Sequence, residues 1–222
     1  EGLVTFNGKS FRMKEHIDRL YRSLKYVRID SGLSPEEMLD INEEAIRRNE
    51  DRREEVGDFT IHPFVTRGLE LSGPANLCVR VAPVSFSSFA HLYNEGARGV
   101  ITRTRSYSPE SVDPKVKHYS RMNFNLAALE ARDVDPEAYP LLTDSNGNLT
   151  EGVGNNVLLV TDGVIRSPDD SSILQGISRG MVMELAQQLN IPFVEEDLQP
   201  YDLYNADEVF FTGTSPCVLP CT

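Results

Sequence analysis

Apolar positions come at helical spacing in the first stretch of the chain. Ile17, Leu20, Tyr21 and Leu24 share one face and predict a helix over His16 to Val27, with Arg19 set into the apolar side. Ser34-Pro35-Glu36-Glu37 is a capping box with proline at the first helical position. The helix it opens carries Met38, Leu39 and Ile41, then a charged run from Arg47 to Glu55 that reads as a solvated face. Leu3 to Phe6 and Ser10 to Met13 read as strands around Asn7-Gly8, because both residues of such a turn tolerate positive φ. Strand-like runs follow at 58–67, 77–83 and 99–105, with a loop over 84–94. Beyond residue 117 the pattern alternates. Met122 to Arg132 is helical, hairpins surround Asn146-Gly147 and Asp162-Gly163, and Ile177 to Leu189 is amphipathic. Strands Phe193 to Glu196 and Glu208 to Thr212 flank a short helix from Pro200 to Asn205. Hairpins mixed with helices, without a βαβ rhythm, make this an α+β chain. The polar, proline-bearing stretch before Lys117 predicts a boundary: a small N-terminal domain over 1–106, a linker over 107–116 and a second domain over 117–222.

Composition narrows the function. A net charge of −12 argues against a nucleic-acid binder, which needs a basic stripe, although a few arginines in a cleft still suit a small anion. No apolar run approaches the roughly 18 residues of a membrane span, and no export signal opens the chain. Cys78, Cys217 and Cys221 give neither a disulfide framework nor a zinc set, so a cytoplasmic protein is expected. Glu1-Gly2-Leu3-Val4 reads as mid-domain sequence and Cys221-Thr222 ends abruptly, so residues are expected beyond both ends.

Four stretches carry possible chemistry. Glu151 sits among Gly152, Gly154, Asn155 and Asn156 just before an apolar strand, which is either a solvated hairpin residue or a carboxylate aimed at a ligand. Lys117 becomes a nucleophile able to form a Schiff base if it enters a cleft; otherwise it is a surface lysine. Leu174-Gln-Gly176-Ile177-Ser178-Arg179 is a glycine turn opening into a helix, suited to phosphate or merely a cap. Phe211-Thr-Gly-Thr214-Ser215-Pro216 is a second hydroxyl-rich turn. Gly176-Ile-Ser178-Arg-Gly180 also matches the nucleophile elbow of serine hydrolases, but His16, His62, His91 and His118 all precede Ser178, against the order such enzymes need.

His16-Ile-Asp-Arg-Leu20, Lys117, Glu130-Ala-Arg132, Leu149-Thr-Glu-Gly-Val-Gly-Asn-Asn156, Leu174 to Arg179, Ala206 to Phe210 and Gly213-Thr214 occur in one order. That order resembles the class IV, or fold-type IV, pyridoxal-phosphate aminotransferases, and the likeness spans the chain. The resemblance implies a two-domain α+β fold and a homodimer moving an amino group between an amino acid or amine and a 2-oxo acid. In it Lys117 would hold pyridoxal 5′-phosphate and shuttle the proton, and Glu151 would pair with the pyridine nitrogen. Arg19, Gly176, Ile177, Ser178 and Thr214 would cradle the phosphate, and Leu174 would pack under the ring. Thr60, His62, Arg67 and Ser215 would face the substrate. Many relatives place a tyrosine shortly after the lysine to meet the cofactor's phenolic oxygen. This chain has Tyr119-Ser120-Arg121 there, with Arg121 as the stand-in. The Tyr-x-Arg of branched-chain enzymes is missing around Thr60 and His62, and Tyr139 to Asp144 is closer to the amine transaminases. A lyase of aminodeoxychorismate type and a catalytically silent binding protein are the alternatives on the same scaffold.

Overall fold

Asn7 and Gly8 take φ of 51° and 78°, as a two-residue turn between strands demands. The turn joins β1 (Leu3–Phe6) to β2 (Lys9–Ser10), and the chain then enters α1 (Met13–Val27) directly, three residues before the sequence pattern suggests. α2 (Pro35–Arg47) begins at the expected capping box: Glu37 N donates to Ser34 Oγ, and Ser34 N donates to Glu37 Oε2. A short helix, α3 (Arg53–Val56), leads to β3 (Phe59–Thr66) and β4 (Asn76–Pro83). The four strands form an antiparallel sheet in the order β2-β1-β3-β4. One face carries Leu3, Phe59 and Ile61 into a core with Met13, Ile17, Leu20 and Leu24 of α1 and Met38 and Ile46 of α2. By the two-residue period of a strand, Thr60, His62 and Phe64 share the other face. Asp58 fastens the first turn to the sheet, accepting from Asn7 N, Gly8 N and Thr5 Oγ1 at 2.8–2.9 Å.

This computed structural model describes residues 1–222, which divide into two units, Glu1–Phe86 and Ser87–Thr222. The division comes earlier than the expected linker over 107–116. After α4 (Leu92–Glu95), β5 (Gly99–Ile101) pairs in parallel with β6 (Tyr139–Thr143), and so belongs to the second unit's sheet. A partner that distant in sequence leaves no local mark. The run expected to be strand through Arg105 stops at Ile101 because Glu130 draws it aside. Its carboxylate accepts from Arg103 N, Thr104 N and Thr104 Oγ1.

Glu130 lies on α5 (Met122–Val134), and β7 (Leu149–Gly152), β8 (Asn156–Thr161) and β9 (Val164–Pro168) follow as antiparallel neighbours. α6 (Ile177–Gln188) leads to β10 (Phe193–Glu196), which returns parallel to β9. α7 (Pro200–Tyr204), β11 (Glu208–Gly213) and β12 (Cys217–Cys221) complete the unit. β11 pairs with β8 on one side and β12 on the other. Ala97 N donates to Pro220 O, Thr222 N to Ala97 O and Gly99 N to Thr222 O, so β12 meets the lead-in to β5. The strands β5-β6-β7-β8-β11-β12 thereby close into a ring. Leu141, Leu149, Val157, Leu159, Phe211 and Leu219 form its core. α6 lies against the outer strands, with Val182 and Ala186 on Leu158 and Ile165.

Candidate active site

Glu151 lies in β7 just before its last residue, opposite Asn156 of β8, so the two side chains share a face. Both are buried, and both engage Leu174. Leu174 N donates to Glu151 Oε2 at 3.4 Å, and Asn156 Nδ2 donates to Leu174 O at 2.9 Å. Between them Gly152 N donates to Asn155 O at 2.9 Å. A side chain on Gly152 would meet Asn155 Oδ1 at 2.1 Å and Pro140 O at 2.9 Å, so only glycine fits this bend. The hairpin residue that the sequence left ambiguous is therefore an interior carboxylate, fixed between two strands and the approach to α6.

That approach is equally tight. Gly176 is the residue before α6, in extended conformation, and a Cβ there would lie 2.1 Å from Asn156 Oδ1. No side chain caps the helix, so the first-turn N–H groups of Ile177, Ser178 and Arg179 present donors and the positive end of the dipole. Ser178 Oγ donates to Gly213 O at 2.9 Å, tying this turn to the one that carries Thr214 and Ser215. Tyr93 Oη donates to Pro216 O at 2.5 Å and holds the far side of the second turn. Arg179 faces away from the turn. It is buried, donates from Nε to Ser167 Oγ at 2.8 Å and pairs with Glu195. The two phosphate-type turns that the sequence marked separately are thus one assembly.

Lys117 belongs to the segment between β5 and α5. Its neighbour Lys115 pairs with Asp113, with Nζ 3.0 Å from Oδ1. Val116 is buried, and Lys117 beside it is half-buried. His118 lies against Tyr107, with ring centroids 6.1 Å apart, and accepts from Ser120 N at 3.2 Å. Burial lowers its pKa, and the charges of Arg121 and Lys117 lower it further. Arg121 precedes α5 with Cζ 4.0 Å from the centre of the Phe124 ring. Burial disfavours its charge, and the Glu151 carboxylate works the other way.

The remaining expected site residues lie in the first unit. Arg19 is buried on α1 and donates to Glu1 from Nε at 3.0 Å and from Nη2 at 2.7 Å; His16 Nδ1 meets the same carboxylate at 3.0 Å. Burial alone would raise the Glu1 pKa, but His16 and Arg19 hold it well below the carboxylate range. Thr60 Oγ1 donates to Ala82 O at 3.3 Å, and His62 is half-buried on the same face of β3. Arg67 has another occupation. Its guanidinium donates to the carbonyls of Val27, Arg28 and Leu71, closing the end of α1, where a cation is favoured. Asn156, Phe124 and Tyr93 were not singled out from the sequence. Asn156 stood inside the quoted glycine motif, whereas the other two act only through space.

Such a layout suits a flat, nitrogenous ring carrying a phosphate. A profile of the amino-transferase class IV family matches residues 1–222. The chain belongs to the class IV aminotransferases. This aminotransferase is 37% identical to the putative branched-chain-amino-acid aminotransferase of Methanocaldococcus jannaschii, over 99% of this chain and 76% of that one. Among solved structures, the T.th. branched-chain amino acid aminotransferase with pyridoxamine 5′-phosphate aligns at a TM-score of 0.91 with 29% identity, covering 100% of this chain and 74% of that one. The Escherichia coli branched-chain enzyme aligns at 0.84 with 25% identity, over the same shares. Pyridoxal phosphate is the family's cofactor, and the aminotransferase has the donors for it: the α6 N–H groups and two hydroxyl-bearing turns for a phosphate, and a buried carboxylate for a ring nitrogen. The serine-hydrolase reading fails at Ser178, whose hydroxyl donates to a backbone carbonyl rather than to a base. No helix of the aminotransferase is long and apolar enough to cross a membrane.

Proposed function

We propose that this aminotransferase transfers the amino group of a branched-chain amino acid to a 2-oxo acid, with Lys117 as the residue that bonds to pyridoxal phosphate. The observation that carries the assignment of roles is the joint hold of Glu151 and Asn156 on Leu174, which puts an interior carboxylate beside the anion-binding start of α6. The branched-chain substrate class is supported by the names of the relatives in Methanocaldococcus jannaschii and Escherichia coli.

Bound pyridoxal phosphate supplies an electron-withdrawing ring that weakens the Cα–H bond of the attached donor. The chain supplies the rest. Lys117 Nζ, once the donor amine has displaced it, would take the proton from the donor's Cα and pass it on to the cofactor. Glu151 holds a proton at the pyridine nitrogen, which a buried carboxylate does far better than water. The N–H groups of Ile177 and Ser178 and the hydroxyls of Ser178 and Thr214 fix the phosphate. Arg19 is assigned to it by resemblance. The absence of a side chain on Gly176 lets Asn156 approach the start of α6, and Leu174 would pack against the ring by resemblance. Thr60, His62 and Ser215 are assigned to the substrate by the resemblance alone. Arg67, which the resemblance also assigns there, donates to the carbonyls at the end of α1.

The same reading makes the enzyme a homodimer, as the resemblance implies, and its three free cysteines accord with the cytoplasm. A panel of leucine, isoleucine, valine, D-alanine and (R)-1-phenylethylamine with 2-oxoglutarate tests the substrate class, and leucine, isoleucine and valine are expected to lead. Preference for D-alanine or the amine would overturn it. Release of pyruvate from aminodeoxychorismate would assign the lyase instead. Borohydride reduction should fix the cofactor on the peptide containing Lys117 and leave Lys117→Ala unlabelled.

A further inference from the structure

Thr212 carries a buried hydroxyl that none of the roles above uses. It lies in β11 at 2% exposure, and its Oγ1 meets no hydrogen-bond partner within the protein. A buried hydroxyl normally has a partner, because leaving it unmet costs free energy that an apolar side chain of the same shape does not. Valine would fill this position without that cost. The hydroxyl therefore points to a contact that forms only when the neighbouring site is filled.

Strand register gives the direction in which the side chain faces. Phe210 of β11 stands opposite Leu158 of β8, and both pack with Val182 and Ala186 of α6. Two residues further along the same face, Thr212 stands opposite Asn156, and Asn156 in turn stands opposite Glu151 of β7. That row runs under the first turn of α6. Ser178 Oγ donates to the carbonyl of Gly213, the residue after Thr212, at 2.9 Å, and a Cβ on Gly176 would lie 2.1 Å from Asn156 Oδ1. Asn156 Nδ2 donates to Leu174 O, which leaves Oδ1 as the amide's acceptor on the Gly176 side. Thr212 thus supplies a hydroxyl donor with an amide oxygen as its cross-strand neighbour.

We propose that Thr212 is a positioning residue for the cofactor site: when an anion seats at the start of α6, the Thr212 hydroxyl turns onto Asn156 Oδ1 and locks the amide that holds Leu174. The inference rests on the reading of the α6 N–H groups as the phosphate site. A threonine in a strand has more than one staggered position open to it, so the turn needs no movement of the backbone. An anion that fixes residues 176–178 also fixes the amide oxygen lying against Gly176, and the hydroxyl then has a stationary acceptor. A contact made only in the loaded state adds to affinity for the cofactor and adds nothing to the stability of the protein alone.

Two measurements on the full chain test this: denaturant unfolding without cofactor, and equilibrium titration with pyridoxal phosphate. Thr212→Val should unfold without cofactor at the same or a higher denaturant concentration, yet bind pyridoxal phosphate about fivefold more weakly, the size of one net hydrogen bond. Thr212→Ser keeps the hydroxyl and should bind as wild type does. In an Asn156→Ala background Thr212→Val should have no further effect on binding, since the acceptor is gone. If Asn156→Ala does not fold, the opposite directions of stability and affinity in Thr212→Val decide alone. Lower stability of Thr212→Val without cofactor overturns the proposal by making the hydroxyl structural, and an unchanged affinity overturns it too. So does an equal further loss in the Asn156→Ala background, which would give Thr212 a direct contact with the phosphate. A wild type that takes up no pyridoxal phosphate sinks the α6 assignment itself, and Thr212 with it.

Discussion

Gly176 shows how much a single hydrogen atom decides in this site. Its missing Cβ is the space occupied by Asn156 Oδ1, and Asn156 cannot swing aside without releasing Leu174 O. Gly176→Ala should therefore displace the start of α6 and weaken cofactor binding by about tenfold or more, the equivalent of ~1–3 kcal/mol of overpacking. Equilibrium titration with pyridoxal phosphate reads this directly, and an unchanged affinity would refute the crowding argument. Glu151→Gln keeps the shape and the Leu174 contact but loses the charge. It should retain cofactor and lose about 100-fold in turnover, as removal of a preorganised electrostatic group does. Equal loss of binding and turnover would make Glu151 structural. These residues were legible in the sequence because glycines that must be glycines, and a carboxylate among them, stand out on the page. Phe124 and Tyr93 were not, since a platform and a tether look like any other aromatic until the chain has folded. The hold of Arg67 on the carbonyls of Val27 and Arg28 was not legible either, because it depends on where β3 ends relative to α1.

At the scale of elements, the first unit tests capping and acid sensitivity separately. Ser34→Ala removes half of the α2 capping box and should cost about 1 kcal/mol, visible as a lower thermal midpoint with turnover unchanged at moderate temperature. Asp58 reports on pH. Burial raises its pKa, but the donors Gly8, Thr5 and Asn7 outweigh burial and leave it lowered. A carboxyl with a depressed folded pKa stabilises at neutral pH, and that contribution disappears as pH falls through the folded value. Wild type should accordingly lose more stability than Asp58→Asn between about pH 7 and about pH 3 in denaturant titrations. A parallel loss in the two proteins would remove Asp58 from the account. In the second unit, Arg179→Met strands Glu195 and the Ser167 hydroxyl. At 4% exposure the guanidinium is interior, but Glu195 at 34% reaches water, so the cost should be ~2–3 kcal/mol, below that of a fully buried pair. Most elements could be read in advance where a capping box, an Asn-Gly pair or a helical stripe announced them. β12 went unread, and β5 was read as a strand but not placed, since its partner β6 lies far along the chain.

At the scale of the whole molecule, the cofactor is expected to act as a stabilising ligand. Pyridoxal phosphate at about 100 times its dissociation constant should add about 2.7 kcal/mol to the unfolding free energy. Calorimetry with and without cofactor measures it, and Gly176→Ala should shrink the increment at the same concentration. The structural division at Phe86 comes earlier than the expected linker, and the ring shows why: Gly99–Ile101 looks like the last strand of the first unit but closes the second. That closure also bears on solubility. Strands joined in a ring leave no open ladder of N–H and C=O groups for a neighbouring molecule to extend. In the second unit the exposed edge passes to β10, which is four residues long and ends in Glu195 and Glu196, both engaged with arginines of the same unit. Aggregation on partial unfolding should begin where the ring opens, at the junction of β12 with the lead-in to β5, rather than at the edge the native protein already guards.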